Sequence, residues 1–213
     1  YPMMVKWAEE YQKLHPKVKI EVSGGGAGKG MTDALAGLVD IGMVSRDIYP
    51  EELAKGAFYV TVTKDAVVAT INAENPVLND ILTKGLTKQV FYDIFIAGNV
   101  TTWGQIVGKA DVTDQIHVYT RSDACGAGDN WAKYLGKKQE DIRGVGVYAD
   151  PGLVDAIKKD PSGIGYNNIG YAYDMKTNRQ FEGITVVPID INQNGRIDPE
   201  EDFYRSRDEI VQA

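Results

Sequence analysis

The hydrophobic residues of this chain recur with two different periods. In segment 1–14 they are three or four positions apart, which predicts an amphipathic helix ending at His15-Pro16. In segment 17–22 apolar and charged residues alternate strictly, as they do in a half-buried strand. The chain therefore opens with a predicted helix followed by a predicted strand.

The same pattern continues to the C-terminus. Further strands are predicted at 39–44, 59–63, 66–72, 116–120, 145–148, 164–166 and 184–187. Helices are predicted at 32–38, 87–96, 128–135 and 151–159, the last with Asp150 as its N-cap. Strands that alternate with helices indicate an α/β fold with parallel or mixed sheets.

Composition and charge exclude several classes of protein. The chain has 213 residues, of which 43% are hydrophobic, enough to form a core. A net charge of −7 argues against nucleic acid as the main partner, because phosphate neutralisation needs a basic face. The single cysteine, Cys125, excludes an internal disulfide and a cysteine-based zinc site. No apolar run is long enough to span a membrane. A helix at the first residue, without a leader, is expected of a mature or trimmed chain.

Three segments carry glycines or an arginine where a predicted strand ends. Residues 23–30 are glycine-rich but do not match a phosphate-binding P-loop, so a flexible turn remains an alternative. Residues 121–128 begin with Arg121 and again lead into a helix, and segment 39–46 ends in Ser45 and Arg46. Helix N-termini and guanidinium groups both donate hydrogen bonds to oxyanions. A surface ion pair is the alternative role for each arginine.

The chain carries, in order, a motif at 7–11, the glycine-rich turn at 23–30, and motifs at 39–42, 121–126 and 163–166. This order resembles that of the phosphate-binding proteins of ABC importers. The resemblance implies a type II periplasmic-binding-protein fold, with two α/β lobes around a cleft. Lobe one is then residues 1–68 and lobe two residues 69–213. Lobe one is expected to lack the family's first strand and the C-terminal return of the chain.

The resemblance also implies the function. A small tetrahedral oxyanion, phosphate first, is captured outside the cytoplasm for an ABC permease, and no reaction is catalysed. The protein is then periplasmic or extracellular, with membrane anchoring through a removed N-terminal segment as one option. The implied ligand-binding residues are Ala27, Gly28, Lys29, Gly30, Ser45, Arg46, Arg121, Asp123, Cys125, Gly126 and Ala127.

Two departures from the family pattern keep other anions open. The family's acceptor aspartate, which takes a hydrogen bond from protonated phosphate, falls near Ser45, and two hydroxyl side chains are replaced at Cys125 and Ala127. Sulfate, tungstate and molybdate therefore remain alternatives. A calcium-stabilised extracellular interaction domain without anion binding is a further one, and an enzyme that uses Cys125 is the third reading.

Residues 190–201 match the calcium loop of an EF-hand. Calcium would be bound by the side chains of Asp190, Asn192, Asn194, Asp198 and Glu201 and by the carbonyl group of Arg196. Because a strand rather than a helix is predicted to enter this loop, we expect a weak structural site with a Kd on the order of 10⁻⁴–10⁻³ M. A solvated turn without metal is the alternative.

Overall fold

The computed structural model, which describes residues 1–213 apart from the side chain of Pro2, divides into two units, Tyr1–Tyr59 and Val60–Ala213. The predicted lobe boundary at 68/69 lies nine residues after this division and stays a prediction. The first unit contains three helices, α1 (Pro2–Leu14), α2 (Gly26–Leu35) and α3 (Pro50–Ala54). Helix α1 confirms the first predicted helix.

Helix α2 begins earlier than the predicted helix at 32–38. Gly25 and Gly26 have φ angles of 153° and 79°, which residues with a Cβ rarely adopt. These two glycines turn the chain into the helix. The second half of the glycine-rich stretch therefore forms the first turns of α2 from Gly26, and residues 23–25 precede the helix.

The strands predicted at 17–22, 39–44 and 59–63 are wrong. No strand is assigned anywhere in the described residues of Tyr1–Tyr59, nor from residue 60 to residue 66. Val18, Ile20 and Ile41 are exposed, although a half-buried strand would cover them. A strand persists only when a neighbouring strand satisfies its backbone N–H and C=O groups. The alternation of residue types at 17–22 has no such neighbour here.

The second unit contains one mixed sheet. Its five strands are β1 (Val67–Asn72), β2 (His117–Arg121), β3 (Val145–Val147), β4 (Gly163–Asn168) and β5 (Ile184–Val186), in the order β3-β2-β4-β1-β5. Strand β2 runs parallel to β3 and β4, whereas β1 is antiparallel to β4 and β5. All five strands of this sheet were predicted, with bounds that differ by only a few residues.

Helices surround this sheet. They are α4 (Leu78–Lys84), α5 (Lys88–Tyr92) with a π-helical turn (Asp93–Ala97), α6 (Trp103–Val107), α7 (Gly126–Tyr134), a 3₁₀ turn (Gln139–Asp141), α8 (Ala149–Lys159), α9 (Ile169–Ala172) and α10 (Arg207–Gln212). Helices α7 and α8 confirm two predicted helices, and α5 with its π turn covers the third. Among the described helices none is both long and apolar enough to cross a bilayer.

Two hydrophobic clusters hold helices against the sheet. In one, the ring of Trp131 on α7 lies 5.1 Å from that of Phe91 and 5.9 Å from that of Tyr166 on β4. In the other, Leu153 and Ile157 of α8 are fully buried. Aromatic and aliphatic burial of this kind fixes the starts of α7 and α8 relative to the strands that precede them.

Candidate functional site

The parallel pairing of β2 and β3 brings their carboxyl ends to one edge of the sheet. Arg121, the last residue of β2, lies opposite Val147, the last residue of β3, and the Ser122 amide donates to the Val147 carbonyl over 3.0 Å. Helix α7 follows β2 and helix α8 follows β3. Both helices therefore begin at this edge of the sheet, where the Ala149 amide of α8 already donates to Asp123 and the Gly128 amide of α7 to the Cys125 sulfur.

The guanidinium group of Arg121 is buried between two carboxylates. Its side chain is only 4% exposed, and Nε and Nη2 donate to the two oxygens of Asp123 over 2.8 and 2.5 Å. On the other side, Nη1 lies 2.8 Å from Oδ2 of Asp150. One positive and two negative charges leave this cluster with a formal charge of −1.

The environment shifts the pKa values of Arg121 and Asp123. Burial would lower the pKa of Arg121, but the hydrogen bonds to Asp123 and the nearby negative charges outweigh it and raise the pKa. Burial would likewise raise the pKa of Asp123, yet the hydrogen bonds from Arg121 and the Ala149 amide lower it overall. Arg121 and Asp123 are therefore both ionised at neutral pH.

Two atoms of the cluster lack a hydrogen-bond partner. Nη1 of Arg121, although close to Asp150, makes no hydrogen bond of good geometry, and Oδ1 of Asp150 makes none either. Both atoms are buried. Most buried polar atoms in proteins are paired, and leaving one unpaired costs about 1–3 kcal/mol.

A set of hydrogen bonds holds the loop before α7. Oδ1 of Asp123 accepts from the Ala149 amide over 3.1 Å, which ties this loop to the start of α8. The Gln139 side chain donates to the Asp123 carbonyl over 2.7 Å and accepts from the Cys125 amide over 3.1 Å. The loop and both helix starts are thus held in place by side chains of the same unit.

Cys125 is the N-cap of α7. Its sulfur accepts a hydrogen bond from the Gly128 amide over 3.3 Å, as a capping hydroxyl would. Burial raises the pKa of the thiol, although the Gly128 amide and Arg121 act in the opposite direction. A neutral buried thiol is a poor nucleophile. Gly126 and Ala127, the other predicted residues of this turn, are buried in the first turn of α7.

In the first unit, the predicted residues Ala27, Gly28, Lys29 and Gly30 lie in the first turns of α2. Ala27 is buried, and Lys29 forms an ion pair with Asp33 one turn later. A Cβ on Gly30 would lie 2.3 Å from the Met43 carbonyl oxygen. Gly30 therefore permits close packing of α2 against the segment that contains Met43, a purpose the sequence did not reveal.

Arg46 is bound by its own neighbours. Its Nη1 and Nη2 donate to the two oxygens of Glu52 over 2.9 and 2.6 Å, and its guanidinium carbon lies 3.9 Å from the centre of the Tyr49 ring. The hydrogen bond from Arg46 lowers the pKa of Glu52. The anion-binding roles of Arg46 and of the adjacent Ser45 stay predictions.

Residues 1–211 match the family model of the PBP superfamily domain. The chain belongs to this family. It is 30% identical to the phosphate-binding protein PstS of Methanocaldococcus jannaschii, over 98% of this chain and 57% of that protein. It is 27% identical to PstS of Bacillus subtilis, over 82% of this chain and 56% of that one. The chain thus spans a little over half the length of these two relatives.

Solved structures agree with this assignment. A candidate phosphate ABC transporter substrate-binding protein from Clostridium perfringens, with bound phosphate, matches 89% of this chain and 71% of its own, with 27% identity and a TM-score of 0.74. A phosphate transport receptor from Vibrio cholerae matches 88% of this chain and 72% of its own, with 23% identity and a TM-score of 0.63. This member of the PBP superfamily, with its mixed sheet and surrounding helices, has the type II binding-protein fold.

Asp150 was not predicted as a partner of Arg121. It was predicted as the N-cap of α8, but Tyr148 occupies that position and the Asp150 carboxylate pairs with Arg121 instead. One signal for this contact was present in the sequence. Asp150 closely follows the predicted strand at 145–148, and that strand could pair in parallel with the strand that leads to Arg121. Gln139 was missed as well, because it lies beyond α7 in the sequence and only the fold returns it to the loop.

The predicted calcium loop forms a turn held by its own side chains. Asp190 accepts from the amides of Asn194 and Gly195 over 3.1 and 2.9 Å, and Glu201 accepts from the Ile191 amide over 2.8 Å. Asp190 and Glu201 are buried. Among the described residues no three His, Cys, Asp or Glu side chains are grouped as a metal would need.

The other predicted calcium ligands are also hydrogen-bonded within the loop. The amide groups of Asn192 and Asn194 donate to Oδ2 of Asp198 over 2.9 and 2.6 Å, and Arg196 pairs with the other oxygen of Asp198 over 2.7 Å. The donor atoms are oxygens of the kind calcium prefers, but their carboxylates do not converge. Calcium binding therefore stays a prediction.

Proposed function

We propose that this chain captures phosphate outside the cytoplasm and presents it to the permease of an ABC importer, without catalysing a reaction. The observation that carries the proposal is Arg121, a buried guanidinium at a sheet edge where the N-termini of α7 and α8 begin. The named function of the two PstS relatives and the phosphate bound in the Clostridium perfringens structure support it.

The physical basis is hydrogen bonding to a dehydrated anion. The first N–H groups of a helix have no partner within the helix, and the helix dipole adds a partial positive charge there. A guanidinium contributes charge-assisted donors in a fixed plane. Such a site needs little net positive charge, so the overall charge of −7 is compatible with it.

Calorimetric titration with phosphate, sulfate, tungstate and molybdate tests this function. We expect phosphate to bind most tightly and to raise the Tm, because at 100 times Kd a ligand adds about 2.7 kcal/mol to the free energy of unfolding. If one of the other three anions binds most tightly, that anion and not phosphate is the ligand. Absence of binding to all four would favour an interaction domain.

We also propose one weak structural Ca²⁺ at residues 190–201, supported by the oxygen-rich donor set and the turn at Gly195, where φ is 78°. Binding would require Asn192 and Asn194 to turn their amide oxygens inward and release Asp198. Millimolar calcium should raise the Tm by a few degrees, and Glu201→Gln should abolish this rise. Glu200→Gln, at an adjacent exposed position, is the matched control.

Phosphate affinity should change no more than a few-fold when calcium is removed, because the loop is separate in sequence from the elements around Arg121. An unchanged Tm in calcium, or an equal response of the two variants, would contradict a calcium site at this loop.

A further inference from the structure

We propose that Tyr166 is a positioning residue for anion binding, which fixes the backbone of Arg121 relative to the first turn of α7. The inference rests on the proposed function and adds a residue from the interior of the sheet to the site. It depends on one side chain that contacts both elements. The Tyr166 hydroxyl is bonded to the Arg121 amide, and the Tyr166 ring packs against α7.

The backbone amide of Arg121 donates to a side chain of a neighbouring strand. Strand β2 pairs with β4 at His117 and Val118, near its start, and pairs with β3 as far as Arg121. Past its pairs with β4, the Arg121 amide donates to the Tyr166 hydroxyl oxygen over 3.2 Å. The hydroxyl group therefore connects the end of β2 to β4 at the residue that carries the guanidinium.

The same hydroxyl group makes a second hydrogen bond. Its oxygen lies 2.8 Å from Oγ1 of Thr120, the residue before Arg121. Because a backbone amide can only donate, the Tyr166 oxygen accepts from Arg121, and its own proton remains available for Thr120. Burial raises the pKa of Tyr166, so the hydroxyl keeps this proton at neutral pH. Two consecutive residues of β2 are therefore bonded to one atom of a β4 side chain.

The ring of Tyr166 determines where this hydroxyl lies. Tyr166 is fully buried, and its ring stacks on Trp131 of α7 with the ring centres 5.9 Å apart. The ring of Phe95 lies 6.1 Å away, and the Tyr166 backbone pairs with Ala69 of β1. Because buried rings in a close-packed core have little freedom to move, the hydroxyl oxygen is a fixed point for the Arg121 amide.

This fixed point matters because the proposed anion site combines two elements. Arg121 ends strand β2, whereas the loop after it leads into α7. Tyr166 contacts both, since its hydroxyl is bonded to Arg121 and its ring packs on Trp131. The groups of a binding site need to be held within about 0.5 Å of the productive geometry. Loss of the hydroxyl should therefore weaken anion binding, although it removes no group that the proposed function assigns to the anion.

Calorimetric titration with phosphate compares the wild type with Tyr166→Phe and Tyr173→Phe. Tyr173 is the matched control, because it is also fully buried and its hydroxyl donates to the Tyr204 carbonyl over 2.7 Å. Both variants keep the ring and remove one buried hydroxyl, so urea unfolding should show similar losses of stability. Tyr166→Phe should bind phosphate at least about tenfold more weakly than the wild type, whereas Tyr173→Phe should stay within about twofold of it.

Amide hydrogen exchange measured by NMR tests the contact without phosphate. The Arg121 amide should exchange at least about tenfold faster in Tyr166→Phe than in Tyr173→Phe, because only the first variant removes its acceptor. Thr120→Val removes the second partner of the Tyr166 hydroxyl and keeps the ring. It should weaken phosphate binding in the same direction, and it replaces Tyr166→Phe if that variant does not fold.

Equal phosphate affinities of Tyr166→Phe and Tyr173→Phe would overturn the inference and leave the proposed function standing. An unchanged exchange rate of the Arg121 amide in Tyr166→Phe would also overturn it. If Tyr166→Phe does not fold, wild-type phosphate affinity in Thr120→Val would have the same consequence. A wild type that binds no phosphate would overturn the proposed function itself, and with it the role of Tyr166 in anion binding.

Discussion

Two glycine-containing segments, 23–30 and 121–128, look alike in the sequence but differ in the structure. The second follows strand β2 and starts at a sheet edge shared with β3, so that its arginine and helix N-terminus are fixed by a buried core. The first follows no assigned strand. Its glycines form the first turns of α2 and allow Gly30 to approach Met43. Glycines before a helix therefore indicate close packing as readily as a ligand.

The two arginines associated with these segments differ in the same way. Both Nη1 and Nη2 of Arg46 bond to Glu52, and the Tyr49 ring covers the guanidinium. Arg121 bonds to Asp123 through one edge, and its Nη1 lies 2.8 Å from the Asp150 carboxylate without a hydrogen bond of good geometry. We therefore expect Arg121 to contribute more to anion binding than Arg46. Four predictions test this comparison.

Removal of a core ring from the second unit should have the largest effect. Phe95 is fully buried, with its ring centre 5.4 Å from that of Trp131. Phe95→Ala should lower the free energy of unfolding by about 3–5 kcal/mol, through lost burial and the cavity left behind. Val39→Ala in the first unit, at a position 36% exposed, should cost less than about 1 kcal/mol. Urea unfolding measures both, and equal costs would mean that the first unit is as well packed as the second.

The comparison of the two arginines gives the second prediction. Arg121→Ala should weaken phosphate binding by about 2–5 kcal/mol, because a buried charge-assisted donor is lost. The phosphate Kd of Arg46→Ala should be at least tenfold lower than that of Arg121→Ala, because the donors of Arg46 are already bonded to Glu52. Calorimetry gives both affinities, and circular dichroism checks that each variant is folded.

Arg121→Lys is the control if Arg121→Ala unfolds, because it keeps the charge but not the planar fork. It should also bind phosphate more weakly than the wild type. Equal losses for Arg46→Ala and Arg121→Ala would show that the local bonds of Arg46 do not decide its role.

The sequence was sufficient for the second unit because its strands pair with one another. Strands β1 to β5 combine apolar runs with clear turn signals, and each finds a partner inside the same unit. The strand predicted at 17–22 has an equally clear alternation but no partner. Periodicity describes which residues could be buried, whereas pairing decides whether a strand forms.

The candidate site was predictable only where neighbours in sequence are neighbours in space. Arg121, Asp123 and Cys125 lie within one turn and were found together. Asp150 and Gln139 reach the same place through parallel pairing of β2 with β3 and through the chain after α7. No local pattern marks such contacts, so a sequence without aligned relatives does not reveal them.

The glycine contact of the first unit gives the third prediction. Gly30→Ala should destabilise the protein by about 1–3 kcal/mol, because its Cβ would lie 2.3 Å from the Met43 carbonyl oxygen, a backbone atom that cannot rotate away. Gly170→Ala is the control, since a Cβ there meets nothing within 4 Å. Thermal unfolding compares the two. Equal Tm values would show that α2 and the segment at Met43 separate easily.

The smallest effect is expected for the pH dependence of the Arg46–Glu52 pair. The hydrogen bond from Arg46 lowers the pKa of Glu52 below its ordinary value of 4.5. The unfolded chain therefore binds this proton more readily, so the stability from the pair is complete above about pH 5 and is lost as the pH falls through the lowered pKa. The two side chains are only 8% and 12% exposed, and a hydrogen bond to a charged group contributes about 1.5–3 kcal/mol, of which only the part lost between the two pKa values depends on pH.

Glu52→Gln should therefore remove only a small part of the fall in stability between about pH 5 and pH 3, and should leave the slope above pH 5 unchanged. Glu51→Gln, at an adjacent exposed position, is the matched control. Urea unfolding at a series of pH values measures these profiles. A lowered pKa of Glu52 can only make the protein more stable at higher pH. The pairing with Arg46 would be contradicted if the stability difference between the wild type and Glu52→Gln grew as the pH fell. Identical profiles of stability against pH for Glu52→Gln and Glu51→Gln would mean that Glu52 does not pair with Arg46 in solution. The contrast between Arg46 and Arg121 could then no longer be based on this ion pair.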